Sequence, residues 1–200
     1  MMKLLKSAMV LTSAVLLILV GTSFEATAHG FGSAVSGGFM SGFIHVFGGC
    51  EHLLALLTVG VCSSQLGDKV ERWMPIVLVV AMIYGALTAT TAQALPGTYI
   101  GTAASVVILG VILTVTLTLR MPVAFALFSA FAIFHGFSHG AELAAGGNII
   151  SIGGGILAAT LLLQLIGVCL GSLVRQQQVP LLARSLGIGC AVTGAFLFAV

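Results

Sequence analysis

His135, His139 and Glu142 stand four and then three residues apart inside a long apolar run. At about 100° per residue an α-helix puts all three on one face. A second group, His45, Glu51 and His52, lies far upstream. Four imidazoles and two carboxylates suit a borderline transition ion such as Ni²⁺, Co²⁺, Cu²⁺ or Zn²⁺, and the carboxylates offset its charge where the dielectric is low. Ca²⁺ and Mg²⁺ would want more oxygen. Gly136 and Gly140 flank the two histidines and remove bulk beside them, so a second helix can approach closely. Glu51 and His52 are neighbours pointing about 100° apart on a helix. They reach one ion together only near a helix start or beside the break expected at Gly48-Gly49, with His45 across that break. A lone histidine in a bundle is usually a hydrogen-bonded packing residue. Clustering of the ionisable residues into two groups marks a functional site instead.

The elements that hold these residues follow from composition. Of 200 residues, 59% are hydrophobic and 6% charged, with a mean hydropathy of +1.22. A soluble surface needs roughly a quarter of its residues charged, so lipid must cover this chain. The expected fold is all-α, a polytopic membrane helix bundle. Seven Lys/Arg and a net charge of +2 leave no electrostatic footprint for nucleic acid. The four cysteines, Cys50, Cys62, Cys169 and Cys190, have neither CxxC spacing nor flanking zinc-ribbon histidines and read as free thiols. Only Cys50, beside Glu51, is placed to act as a soft ligand.

The N-terminus has lysines, then an apolar run, then Ala26-Thr27-Ala28, which is the pattern of a secretory signal peptide over 1–28. The mature chain, 29–200, is then a single transmembrane domain. It begins at His29, where an α-amine and an imidazole on one residue can weakly chelate a divalent cation. Apolar runs long enough for a hydrocarbon core of about 30 Å cover 51–66, 73–95, 99–119, 122–143, 149–174 and 181–200, which makes six transmembrane helices. Lys69 and Arg72, Arg120, and Arg175 and Arg184 fall on alternate loops, so those loops are cytoplasmic and both mature termini lie outside a bacterial inner membrane. The segment 31–45 must then be a re-entrant or half-helix. Its small residues Ser33, Gly37, Gly38, Ser41 and Gly42 are expected against other helices. Asp68–Arg72 reads as a solvated turn, and Trp73 and Tyr99 as interface anchors. Both ionisable clusters fall at the outer depth.

These residues resemble the HupE/UreJ family of small nickel and cobalt permeases from about His29 to the C-terminus. The resemblance is carried by His45-Val46-Phe47-Gly48-Gly49-Cys50-Glu51-His52, similar to the family's His-x5-Asp-His motif. It is also carried by Phe134-His135-Gly136-Phe137-Ser138-His139-Gly140-Ala141-Glu142, which follows the more specific Phe-His-Gly-x-Ala-His-Gly-x-Glu except for Ser138 at the Ala position. Weaker echoes are Leu95-Pro96-Gly97, Ser105-Val106 with Leu109-Gly110, Ala159-Thr160, and Arg184 with Gly187. The resemblance implies uptake of Ni²⁺, sometimes Co²⁺, for cells that metallate hydrogenase, urease or a corrinoid, with the motif His and acidic residues needed for transport. This chain departs from the family at Glu51, where Asp is usual, at Thr98-Tyr99, where a Glu commonly follows Leu-Pro-Gly, and at Gln164, a position often held by His.

Two functions fit the residues. A permease would capture the ion at His29 and His45 and hold it partly dehydrated between the clusters, with His45, Glu51, His52, His135, His139 and Glu142 as ligands and no prosthetic group. An intramembrane zinc-dependent hydrolase would instead hold zinc on His135, His139 and another histidine, with Glu51 or Glu142 as base. Six ligands over-coordinate a catalytic ion, which favours the permease. Its partners are a divalent metal ion and the lipid bilayer, and a homo-oligomer stays open.

Overall fold

The computed structural model describes residues 38–91, 97–144, 148–177 and 180–198. The expected signal peptide, His29 and residues 31–37 lie outside the described residues, as does the side chain of Glu142. Seven helices follow in order: α1 Phe39–Gly48, α2 Cys50–Gln65, α3 Asp68–Thr91, α4 Thr98–Thr114, α5 Met121–Ala144, α6 Ile149–Gln177 and α7 Pro180–Leu197. No strand occurs among the described residues.

Each apolar run is helical over most of its described residues. Asp68–Ala89, Met121–Gly140 and Ile149–Gln176 are long and apolar enough to cross a membrane alone, and α1 with α2 makes a fourth candidate, bent by 81°. α4 and α7 are shorter apolar helices. On α3 the outward row Ile76, Val80, Ile83, Tyr84 and Leu87 is exposed while Met74, Leu78 and Met82 are buried. Both rows have helical spacing and both are apolar, as expected where the surroundings are lipid rather than water. Trp73 and Tyr99 are exposed, and the Tyr99 hydroxyl donates to Leu197 O at 2.5 Å.

Three boundaries differ from expectation for local reasons. Asp68 to Arg72 form the first turn of α3 rather than a solvated turn. Gly67, at φ +108°, turns the chain, and the Asp68 and Glu71 carboxylates then sit at the positive end of the helix. Arg175 of α6 bridges both, at 3.2 and 3.1 Å. α4 stops at Thr114 rather than 119, because Thr116 takes φ 51° in a β-branched stretch that helices disfavour. α1 runs through Gly48, and only Gly49 leaves helical geometry, with an ordinary extended backbone at φ −88°, ψ 112°. A Cβ there would crowd the two side chains that begin α2, lying 2.6 Å from His52 Cδ2 and 2.9 Å from Glu51 Oε1.

Packing follows the small residues. α3 lies on α5, α4 on α7, and α6 on both α1 and α2. A Cβ at Gly136 or Gly140 would meet the α3 backbone at Met82 or Ala86, and one at Gly167 would meet Leu57 O on α2. α1 is held the same way: a Cβ at Gly42 would strike Ile152 O, and one at Gly155 would strike Phe39 O. Such backbone-to-backbone approach is how helices associate when no hydrophobic effect drives them together.

Candidate metal centre

The bend at Gly49 does the positioning. Pinned to α6, α1 turns away from α2 by 81° and carries His45 back over the start of α2, where His52 sits in the first turn. Close approach of α3 to Gly136 and Gly140 sets α5 so that its histidine face looks at the same point. The ring centroids of His52 and His139 are 4.5 Å apart, those of His45 and His139 5.3 Å, and those of His45 and His52 5.7 Å. One ligand nitrogen from each of the three lies within 4.8 Å of the others. With metal–nitrogen bonds of about 2.0–2.1 Å, three ligands spread round one ion stand about 3.3–3.6 Å apart. The three nitrogens therefore close on an ion by drawing together by at most roughly 1.5 Å. His52 and His139 are buried, whereas His45 is exposed, so the group grades from a mouth to a floor.

Glu51 stands beside this group although helix geometry points it away from His52. Both occupy the first turn after the break, and Glu51 Oε1 approaches His52 Nε2 to 3.4 Å. Cys50 Sγ donates to the other carboxylate oxygen at 3.7 Å, the contact of a soft donor with the acid. The carboxylate also profits from the N-terminal end of the α2 dipole.

His135 lies one turn before His139 on α5, and the structure uses it differently from the three-imidazole group. Both of its nitrogens are engaged: Nε2 with Ser105 Oγ of α4 at 2.9 Å, and Nδ1 with His52 Nδ1 at 3.2 Å. The network assigns the ring protons. Ser105 Oγ donates its single hydrogen to Thr102 O at 2.6 Å, so towards His135 it accepts. His135 then carries its proton on Nε2 and presents a lone pair at Nδ1. That lone pair receives the Nδ1 proton of His52, which leaves His52 Nε2 bare and directed towards Glu51. A bare nitrogen facing a carboxylate at 3.4 Å is an arrangement that a cation between them completes. Holding a ligating imidazole by its other nitrogen is the usual second support of a metal site.

Sequence reasoning named five residues that the fold brings together, His45, Glu51, His52, His135 and His139. His29 and the Glu142 side chain lie outside the described residues. Ser105 belongs to the weaker family echoes, and the sequence alone gives it no role. Its signal was a hydroxyl, three residues after another at Thr102, in the otherwise aliphatic middle of the span.

Known proteins agree with the motifs. Residues 16–197 match the family model described as HupE / UreJ protein. Protein HupE of Rhizobium leguminosarum bv. viciae is 32% identical over 179 residues, covering 90% of this chain and 94% of that protein. No solved structure matches the chain.

Proposed function

The chain belongs to the HupE/UreJ family, and we propose that it is a multi-pass membrane permease importing a divalent transition metal ion, Ni²⁺ or Co²⁺, with Zn²⁺ or Cu²⁺ as weaker fits. One observation carries this reading: one nitrogen from each of three imidazoles on three different helices lies within 4.8 Å of the others, with the Glu51 carboxylate 3.4 Å from His52 Nε2 beside them. Six spans place this group near the outer face, and α1 is the half-helix that brings His45 to its mouth. The signal peptide leads the chain into a bacterial inner membrane, leaving His29 outside as a first, weak contact. His135 and Glu142 support the same ion from the α5 face. No nucleotide-binding motif is present in the sequence, so movement down the electrochemical gradient is the simplest drive.

Accumulation of radioactive nickel or cobalt in cells expressing the chain tests the proposal. Wild type should accumulate metal, and His52→Ala and Glu51→Ala should not, at matched levels in the membrane. Glu51→Asp should retain transport with a shifted preference among ions, because it shortens one ligand arm. A zinc hydrolase using Glu51 as base would instead lose most turnover from that misplacement. Metal accumulation by His52→Ala equal to wild type would end the transport-site assignment. A reporter fused after Val200 that is active only in the cytoplasm would overturn the six-span topology.

A further inference from the structure

Beneath the imidazoles the bundle leaves a cavity of about 20 Å³, whose walls include Val59, Leu78, Met82, Leu109, Phe128 and Thr160. That is room for about one water molecule. It extends from the histidines towards the end of the molecule where Arg175 binds Asp68 and Glu71. Gln164 follows Thr160 by four residues on α6, so the two share a helix face. Across the interface, a Cβ at Gly60 of α2 would meet Gln164 O, which sets Gln164 against α2 one turn beyond the cavity wall at Thr160. Helical side chains lean towards the N-terminus of their helix, and for Gln164 that direction is back over Thr160, towards the cavity.

Gln164 is fully buried, and neither its amide nitrogen nor its amide oxygen has a hydrogen-bond partner. Its buried polar neighbours are different. Thr58 bonds Cys190, Ser63 bonds Val59 O, Ser64 bonds Val61 O, and Thr160 bonds Met82 Sδ at 3.7 Å. A primary amide without partners in a lipid-covered bundle bears its full desolvation cost, and a leucine of similar volume would bear none. A group of this kind calls for a partner that is not protein.

We infer that Gln164 is an inner station for the permeating ion: its amide oxygen replaces a coordination or hydration position of a divalent cation that has left the imidazoles, one step further inward. A neutral amide suits this role. It offers an oxygen weaker than imidazole or carboxylate, so the ion is held without being trapped, as a path of successive weak sites requires. The inference rests on the permease reading.

Gln164→Leu tests it, read against wild type by nickel accumulation in cells, by nickel titration of purified protein in detergent, and by thermal unfolding. The expected result is a three-way split. Unfolding moves to higher temperature, nickel affinity at the histidines is unchanged, and flux falls roughly tenfold to a hundredfold, the scale of one lost polar contact to a charge. Gln164→Asn keeps the amide but withdraws it by one methylene, and should give an intermediate flux in a protein that folds even if the leucine variant does not. Wild-type flux in Gln164→Leu, or in Gln164→Asn should the leucine variant fail to fold, overturns the inner station and leaves the permease standing. Absence of accumulation by wild type itself removes the permease and Gln164's role together.

Discussion

Ser105→Ala isolates the proton wiring that prepares His52. The hydroxyl accepts the Nε2 proton of His135 at 2.9 Å, and His135 in turn accepts the Nδ1 proton of His52 at 3.2 Å. With alanine at 105, the Nε2–H of His135 is buried without an acceptor, at a cost of about 1–3 kcal/mol. The ion-free protein escapes this by moving the proton to Nδ1 of His135, which then donates to His52 and drives the His52 proton onto Nε2. Binding an ion must reverse the shift and bear the cost, so the penalty appears in affinity more than in stability. Support of this kind is worth about 10- to 100-fold in affinity, or roughly 1.4–2.7 kcal/mol, which agrees with the hydrogen-bond figure. Calorimetric titration of the purified protein with Ni²⁺ measures it directly, and nitrogen NMR of the imidazoles reads which nitrogen of His52 is protonated. Uptake should fall steeply at low metal and recover at high metal, while Ser105→Thr, which keeps the hydroxyl, should stay within a few-fold of wild type. A folded Ser105→Ala protein with wild-type affinity and an Nδ1-protonated His52 would refute the wiring.

Three further outcomes follow from the geometry. His139→Ala should abolish nickel accumulation, because a buried ion that loses one of three imidazoles has no solvent to replace it, whereas His29→Ala should reduce uptake only at low metal; equal losses from both would deny the difference in depth. Gly155→Leu places a side chain where the α1 backbone lies at Phe39 and Phe43, so it should lift α1 and His45 from the group, lowering nickel affinity at least tenfold while α2 to α7 stay helical by circular dichroism; unchanged affinity would show that α1 does not hold His45 in place. Arg175→Ala removes two ion pairs at an exposed end, with the arginine side chain 38% and the Asp68 side chain 83% exposed. Its effect on thermal stability should stay below about 1 kcal/mol and shrink in salt, and a loss of several kcal/mol would mean this end is buried in the membrane rather than wet.

Composition and periodicity established what depends on the chain alone. Six apolar runs become helices because a helix satisfies the backbone of so long an apolar run within the run itself, and the i, i+4 spacing of His135 and His139 defines one face of α5 wherever that helix is placed. Gly136 and Gly140 announced a close neighbour for the same reason, and α3 supplies it. Spacing gives the direction of a side chain from its own helix axis and says nothing of what stands opposite. Only the tertiary structure decided that α1 folds back by 81° onto α6 and delivers His45 to His52 and His139, since that angle is set by contacts of Gly42 and Gly155 far from the break itself. Likewise, one turn of α5 separates His139, which joins the three-imidazole group, from His135, whose nitrogens are taken by Ser105 and His52. In sequence the two histidines are equivalent. They differ because Ser105 of α4 lies opposite one of them, and that juxtaposition belongs to helix packing, not to either helix.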